Sequence, residues 1–336
     1  MRNGIRCALL VLVVAGATAV AEDNTNRFIG RWALTIPGGG AGWLGVAEEG
    51  GNLIASILWG GGSVMPTNKV FVDGDTLNVV RLNDVERKDA SGKTTRVQVF
   101  GELITAKISG DDMKLAQIVP SGDGKSAHRA EFTGKRIAAL PAKPDLSKVK
   151  FGQPITLFNG KDLDGWKLTD ANAKSGWSVE NGVMINRPTQ QEGKPHINYG
   201  NLRTVAEFED FNLKLETNIP KGGNSGVYLR GIYEIQVADT AGQGLDSHNM
   251  GGLYSRITPR VSAEKPAGEW QTMDMTLCDR HLTVKLNGQM LIDNEPIMGC
   301  TGGALWSDEF KPGPIYLQGD HTGINYRNIV LTPIVK

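Results

Sequence analysis

Asn224-Ser225-Gly226-Val227-Tyr228-Leu229-Arg230-Gly231-Ile232-Tyr233-Glu234-Ile235-Gln236-Val237-Ala238-Asp239 alternates between apolar and polar side chains. A period of two marks a strand with one face in a core. Val227, Leu229, Tyr233, Ile235 and Val237 share one face; Tyr228, Arg230, Glu234 and Gln236 share the other. Read as one extended strand, the stretch presents a polar row on an outward, concave sheet face. The plain reading is a solvated face with an incidental Arg–Glu pair. The sharper reading is a functional face, and the flanking residues favour it.

The same period runs outward from this stretch. Phe211-Asn212-Leu213-Lys214-Leu215-Glu216 alternates, and so does Met273-Asp274-Met275-Thr276-Leu277. Leu282-Thr283-Val284-Lys285-Leu286 runs into Asn287-Gly288, a type I′ hairpin signal. Pro314–Gln318 and Tyr326–Leu331 supply the last strands, and no helix-period window competes. Residues 155–335 therefore read as two antiparallel sheets packed face to face. Residues 27–136 read as a second all-β unit, a small antiparallel barrel or sandwich. Arg31–Ile36 and Asn52–Trp59 alternate, and turn signals recur at Glu49-Gly50-Gly51-Asn52, Asp73-Gly74-Asp75, Ser91-Gly92 and Ser109–Asp112. Its opening Gly30-x-Trp32 and meander resemble a lipocalin-type barrel. Trp32, Trp43 and Trp59 are assigned to the core or a barrel plug, and this unit reads as an accessory or docking element, with the functional site expected to lie entirely in the second domain. Residues 137–154, with Pro141, Pro144 and Pro154, read as a linker.

The first 21 residues read as an export signal. Arg2 and Arg6 precede the apolar run Cys7–Val14, and Ala19-Val20-Ala21 fits a cleavage site before Glu22. A periplasmic or secreted protein is expected, with no membrane span, since the run is too short for one. Losing Arg2 and Arg6 leaves 34 basic against 36 acidic side chains, a net charge of −2. That balance points away from nucleic acid and from anionic membrane as partners. Glycine numbers 43 in 336 residues, about twice the usual ~7%, and it falls at turns between apolar runs, as short hairpins require. Cys278 and Cys300 remain after export; a disulfide and two buried thiols both stay open.

Four ordered motifs carry a resemblance. They are Leu157-Phe158-Asn159-Gly160-Lys161-Asp162-Leu163-Asp164-Gly165-Trp166; Asn224–Arg230 running into Tyr233-Glu234-Ile235-Gln236; Gly268-Glu269-Trp270-Gln271; and Leu317-Gln318 with Asp320-His321 and Tyr326-Arg327-Asn328-Ile329. Over residues 153–335 the chain resembles the 3-keto-disaccharide hydrolase domain family, a concanavalin-like jelly roll. One departure stands out. Gly319 separates Gln318 from Asp320-His321, and an inserted residue is expected to bulge the strand end and re-aim His321.

The resemblance implies an oligosaccharide or glycoside already oxidised to a ketone at C3. The ketone acidifies C2–H; a base removes that proton, the C1 oxygen leaves, and water adds back. Such a route needs a base, a group that stabilises an enolate oxygen, and an acid. Glu234 is the candidate base or metal-binding carboxylate. Arg230 is the candidate stabiliser of negative charge, and His321 the acid or a metal ligand with Glu234. Tyr228, Gln236 and Gln318 are candidates for sugar hydroxyls, and Trp270 for stacking on a ring. No zinc-type spacing is present; no cofactor is assigned, and a divalent metal in an oxygen-rich site is left open. His248 is placed on a mobile rim, His196 and His281 at the surface, and His128 stands alone. Two other function classes stay open. A carbohydrate-binding module uses the same fold without catalysis. An ordinary glycosidase needs a second carboxylate about 5–10 Å from Glu234, for which Glu216 and Asp274 have suitable parity.

Overall fold

The structure is a computed structural model, and it describes residues 25–335. The expected export signal lies outside the described residues. Among the described residues there is no α-helix, only a 3-10 turn at Thr25–Arg27 and β-strands. No helix among these residues is long and apolar enough to cross a membrane.

The first unit is a nine-stranded antiparallel meander: β1 (Gly30–Thr35), β2 (Ala41–Glu49), β3 (Asn52–Trp59), β4 (Met65–Pro66), β5 (Lys69–Asp73), β6 (Thr76–Lys88), β7 (Thr94–Ser109), β8 (Asp112–Pro120) and β9 (Ala127–Ile137). The hydrogen-bonded order is β4-β3-β2-β1-β9-β8-β7-β6-β5. The sheet curls until β3 and β5 meet, so Trp32, Leu34, Leu44, Leu77, Ile104 and Met113 close into one core. Left-handed glycines make the corners. At Gly50-Gly51, φ is 56° and 77°, the geometry of a two-residue hairpin loop.

The segment after Ile137 crosses to the second unit, where its backbone carbonyls are put to use. Arg280 donates to Ala139 O at 2.8 Å and Asn294 to Pro144 O at 2.8 Å. Then come β10 (Lys150–Phe151), β11 (Ile155–Thr156), β12 (Trp166–Leu168), β13 (Trp177–Glu180), β14 (Val183–Asn186), β15 (Leu202–Thr204), β16 (Phe211–Asn218), β17 (Asn224–Leu229), β18 (Tyr233–Ala238), β19 (Trp270–Cys278), β20 (His281–Leu286), β21 (Gln289–Pro296), β22 (Tyr316–Leu317) and β23 (Ile324–Val335). They form a larger sheet, β13-β14-β23-β16-β19-β20-β21 with β10 and β11 on β23, and a smaller one, β12-β15-β22-β17-β18. Leu213, Leu215, Met273, Met275 and Val284 from the larger sheet meet Val227, Leu229, Ile235 and Val237 from the smaller in one core. This is the face-to-face sandwich that the alternation implied, in the jelly-roll form that the resemblance implied. Asn287-Gly288 turns with φ of 51° and 83°, as a type I′ turn requires.

The two units share packing. Trp43, Leu58 and Ile137 of the first are buried in the core cluster of the second, and Arg256 lies over the Trp43 ring at 4.5 Å. Cys278 and Cys300 are both buried thiols. Burial pushes the Cys300 thiol up to about 12, which keeps it protonated and inert. His281, expected at the surface, is buried and its Nδ1 lies 2.9 Å from Asp279 O.

Candidate functional site

The opening stretch is a hairpin and not one strand. β17 and β18 pair with Tyr228 opposite Glu234, Val227 opposite Ile235 and Gly226 opposite Gln236. Arg230 and Gly231 turn the chain with φ of 55° and 68°. Counting pleats through a turn fails, so Arg230 does not stand beside Glu234. Its guanidinium is buried on the far side of the turn, donating to Glu309 O at 2.8 Å and to Lys311 O. The cross-strand pairing instead brings Tyr228 to Glu234 on one face. That face is covered rather than solvated: both strands are buried along nearly their whole length.

The cover leaves a cavity of about 310 Å³, whose walls include Tyr228, Glu234, Asn224, Gln318, Asp320 and His321. Tyr316 lies across from Tyr228, the rings stacked at 4.2 Å. Asn201 fixes the adjoining wall. Its amide donates to Tyr316 OH at 2.8 Å, and its Oδ1 accepts from the N–H groups of Gly319 at 2.7 Å and Asp320 at 3.1 Å. Gly319 is glycine for want of room, since a Cβ there would lie 2.7 Å from the Trp177 ring. The inserted residue thus sits in a fixed bend, and Asp320 and His321 leave it to line the cavity.

Three titratable groups meet there. The Glu234 side chain is almost fully buried. Burial raises its carboxyl to about 8, against the opposing influence of the Tyr228 hydroxyl and the His321 charge, with Asp320 pushing it further up. His321 Nδ1 lies 2.6 Å from Asp320 Oδ1. That hydrogen bond raises the imidazole, and partial burial opposes it. Burial pushes Asp320 up, but the bond and charge of His321 outweigh it and hold the carboxylate below its ordinary range. The result is a proton-holding carboxyl, a carboxylate and an imidazole around one space, with proton affinities driven apart or upward by their surroundings. Tyr228 donates its own proton to Gly302 O at 2.8 Å, and burial holds it well above the ordinary phenol range. The Oδ1 of Asn224 and the Oε1 of Gln318 are buried without a hydrogen-bond partner. A buried acceptor left so costs about 1–3 kcal/mol, and a bound sugar hydroxyl would relieve it. Gln236 shares the face of Glu234, but it does not line the cavity.

Other expected residues lie elsewhere. Trp270 is on β19 in the larger sheet, half-buried beneath the Arg327 guanidinium at 3.9 Å, and is no part of the cavity wall. Glu216 pairs with Arg327, and Asp274 is held by Asn212 at 2.6 Å and Lys214 at 3.4 Å. Neither lines the cavity with Glu234. Among the described residues, the ligand atoms that converge within 4.8 Å belong to Asp210, Cys278 and Asp279, none of which lines it either.

The first unit closes the cavity, so the wall, expected to lie entirely in the second domain, is not confined to it. Gly61 and Gly62, from the loop between β3 and β4, are part of its wall. The loop is tied down at both ends: Gly303 N donates to Gly60 O at 3.2 Å, and Val64 N donates to Ser255 Oγ at 2.8 Å. Between them, Ser63 Oγ lies 2.8 Å from His248 Nε2, and His248 Nδ1 lies 2.5 Å from Asp246 Oδ1. The rim histidine is therefore an inter-domain tether.

The profile of the 3-keto-alpha-glucoside-1,2-lyase-like domain matches residues 153–332. The chain belongs to this family. A curated relative, the 3-keto-disaccharide hydrolase of Bacteroides thetaiotaomicron, is 30% identical over 143 residues, covering 34% of this chain and 49% of that protein. The chain thus spans about half the length of that relative. Two solved structures of candidate glycosyl hydrolases from Parabacteroides distasonis are similar as well. One is 27% identical with a TM-score of 0.44, covering 58% of this chain and 93% of that one. The other is 22% identical with a TM-score of 0.42, covering 54% and 94%.

The family domain contains every cavity residue named above except Gly61 and Gly62. Sequence reading passed over Asp320 as a partner of His321, although the two are adjacent. It also passed over Asn201, Asn224 and Tyr316 as wall residues. Asn224 stood inside a quoted motif; Asn201 and Tyr316 carried no signal, because only the pairing of β15 and β17 with β22 brings them together.

Proposed function

We propose that the chain cleaves 3-keto glycosides by removing the C2 proton and eliminating the C1 oxygen, with water adding back to give net hydrolysis. One observation carries this reading: a desolvated Glu234 carboxyl shares a cavity with an Asp320-supported His321. Ionised Glu234, strongly basic because it is buried, takes the proton from C2. The electron pair passes into the C3 carbonyl as an enolate. It then returns to form the C1–C2 double bond as the C1–O bond breaks, and imidazolium His321 gives its proton to the leaving oxygen. Neutral His321 takes a proton from the water as its oxygen adds at C1, and Glu234 returns its proton to C2, which restores both groups. Asn224 and Gln318 accept hydroxyl protons of the ring. A divalent cation, were this site to take one, would draw on the same oxygen donors and polarise the C3 ketone.

A second reading has some support. Glu234 holds its proton while Asp320 does not, the division of labour of an acid and a carboxylate in an ordinary glycosidase. Against it, Asp320 Oδ1 is engaged with His321. Paired substrates separate the two. A 3-keto glycoside should be cleaved and its unoxidised parent left intact, because only the ketone makes C2–H acidic enough. Equal cleavage of both would sink the proposal in favour of the glycosidase; binding of both without cleavage would favour a carbohydrate-binding module.

A further inference from the structure

We infer that the Gly60-Gly61-Gly62-Ser63 loop of the N-terminal unit supplies the oxyanion site that holds the enolate oxygen, so that the catalytic centre is divided between the two domains. The inference rests on the ketosugar reading. Elimination from a 3-keto sugar builds negative charge on the C3 oxygen, and a fixed donor aimed at that charge is usually the largest single contribution to such a rate. Arg230, the expected donor, is spent on two backbone carbonyls away from the cavity. Of the cavity's side-chain donors, Tyr228 gives its proton to Gly302 and the Asn201 amide gives one to Tyr316, while His321 is needed at the leaving oxygen; the Asn224 and Gln318 amides and the Tyr254 and Tyr316 hydroxyls also line the wall and compete with the loop for the enolate.

The loop offers backbone donors that are held in place from both ends. Gly61 and Gly62 line the cavity. The N–H groups of Gly61, Gly62 and Ser63 make no hydrogen bond to any described residue. Gly60 and Gly62 are left-handed, at φ of 74° and 76°, while Gly61 between them is not. Alternating handedness gathers successive N–H groups into a concave nest that binds anions. The nest is also held in place. Gly60 O, Ser63 Oγ and Val64 N are each bonded to the catalytic domain, and a Cβ at Gly302 would lie 2.1 Å from Gly62 O. A donor fixed before the reaction needs no reorganisation during it. Gly61 itself has neither a left-handed φ nor a crowded Cβ position, so a side chain can be added there without strain and the N–H can be tested apart from packing.

Proline and alanine at position 61 test this directly, because both add carbon and only proline removes the N–H. Turnover of a 3-keto glycoside by Gly61→Ala should stay within a few-fold of wild type. Gly61→Pro should lose ~10²–10³-fold in kcat, the usual cost of one oxyanion donor, with KM changed only a few-fold and the melting temperature kept. Ser63→Ala, which releases the tether to His248, gives a second measure independent of how proline fits. It should lower kcat by up to ~10²-fold through misplacement of the nest, again with KM little changed. Wild-type kcat in Gly61→Pro or in Ser63→Ala, or an equal fall in Gly61→Ala, overturns the assignment. An equal loss of kcat in Asn224→Ala, with Gly61→Pro unaffected, would place the enolate on that amide instead. Failure of the ketosugar reading looks different: the wild-type protein itself would then fail on the 3-keto glycoside, and the nest would lose its role with it.

Discussion

Any Cβ at position 226 would fall 2.4 Å from Glu234 Oε1 and 2.9 Å from its Cγ. Gly226 lies opposite Gln236 on the paired strand, one pleat from Glu234, and the carboxyl lies over its bare backbone. Gly226 is not left-handed, so its glycine serves space and not conformation. Gly226→Ala should therefore act on the carboxyl. Overpacking costs about 1–3 kcal/mol, and moving the base by about an ångström costs up to ~10²-fold in rate. Turnover and denaturant unfolding measured together check this; an unchanged kcat would mean that the carboxyl does not act from where it lies.

Glu234→Gln should abolish turnover and raise stability, a combination that a surface salt bridge would not give. Loss of a general base costs ~10²–10⁴-fold. The sign of the stability change follows from the raised carboxyl. Its neutral form favours the folded state, fully below about 4.5, and that advantage is lost as pH rises through about 8. Glutamine cannot ionise, so the variant should match wild type near pH 4 and unfold at higher temperature at pH 8. The slope is about 1.4 kcal/mol per pH unit at most. Melting curves at the two pH values settle it, and a variant less stable at pH 8 would contradict the burial argument.

The pH profile of kcat/KM should be bell-shaped. One limb is the ionisation of Glu234 near 8, and the other is loss of the His321 proton, which the hydrogen bond to Asp320 raises above the ordinary imidazole range. Asp320→Asn removes the charge that raises both groups. Both limbs should then move to lower pH together. A shift of one limb alone would show that Asp320 acts on only one of the two groups.

Arg230 and Trp270 serve as controls from the same motifs. Arg230→Met deprives the Glu309 and Lys311 carbonyls of a donor and should cost about 1–3 kcal/mol, with kcat within a few-fold. Trp270→Ala loses the contact with Arg327, worth about 0.5–1 kcal/mol, and should leave KM for the glycoside unchanged. A large rise in KM in Trp270→Ala would place a sugar on the larger sheet.

The sequence by itself determined the all-β class and the hairpin turns at Asn287-Gly288 and Gly50-Gly51, because these rest on local terms: period-two burial and the left-handed freedom of Gly and Asn. It also placed Tyr228, Glu234, Gln318 and His321 in quoted motifs that line one cavity. Whether Arg230 joined them was not a local question. Two residues of turn after Leu229 reverse the chain, and a parity count cannot see the reversal. The partnership of Asn201 with Tyr316 and Gly319 depends on strands far apart in sequence pairing side by side. So does the cover over the polar face, which turns an expected solvated row into a desolvated carboxyl. The wall made by Gly61 and Gly62 depends on the packing of one domain against the other, through Trp43 and Leu58 in the shared core. Long-range pairing sets these relations, and pairing is decided by whole sheet faces burying together, not by any residue's own preference.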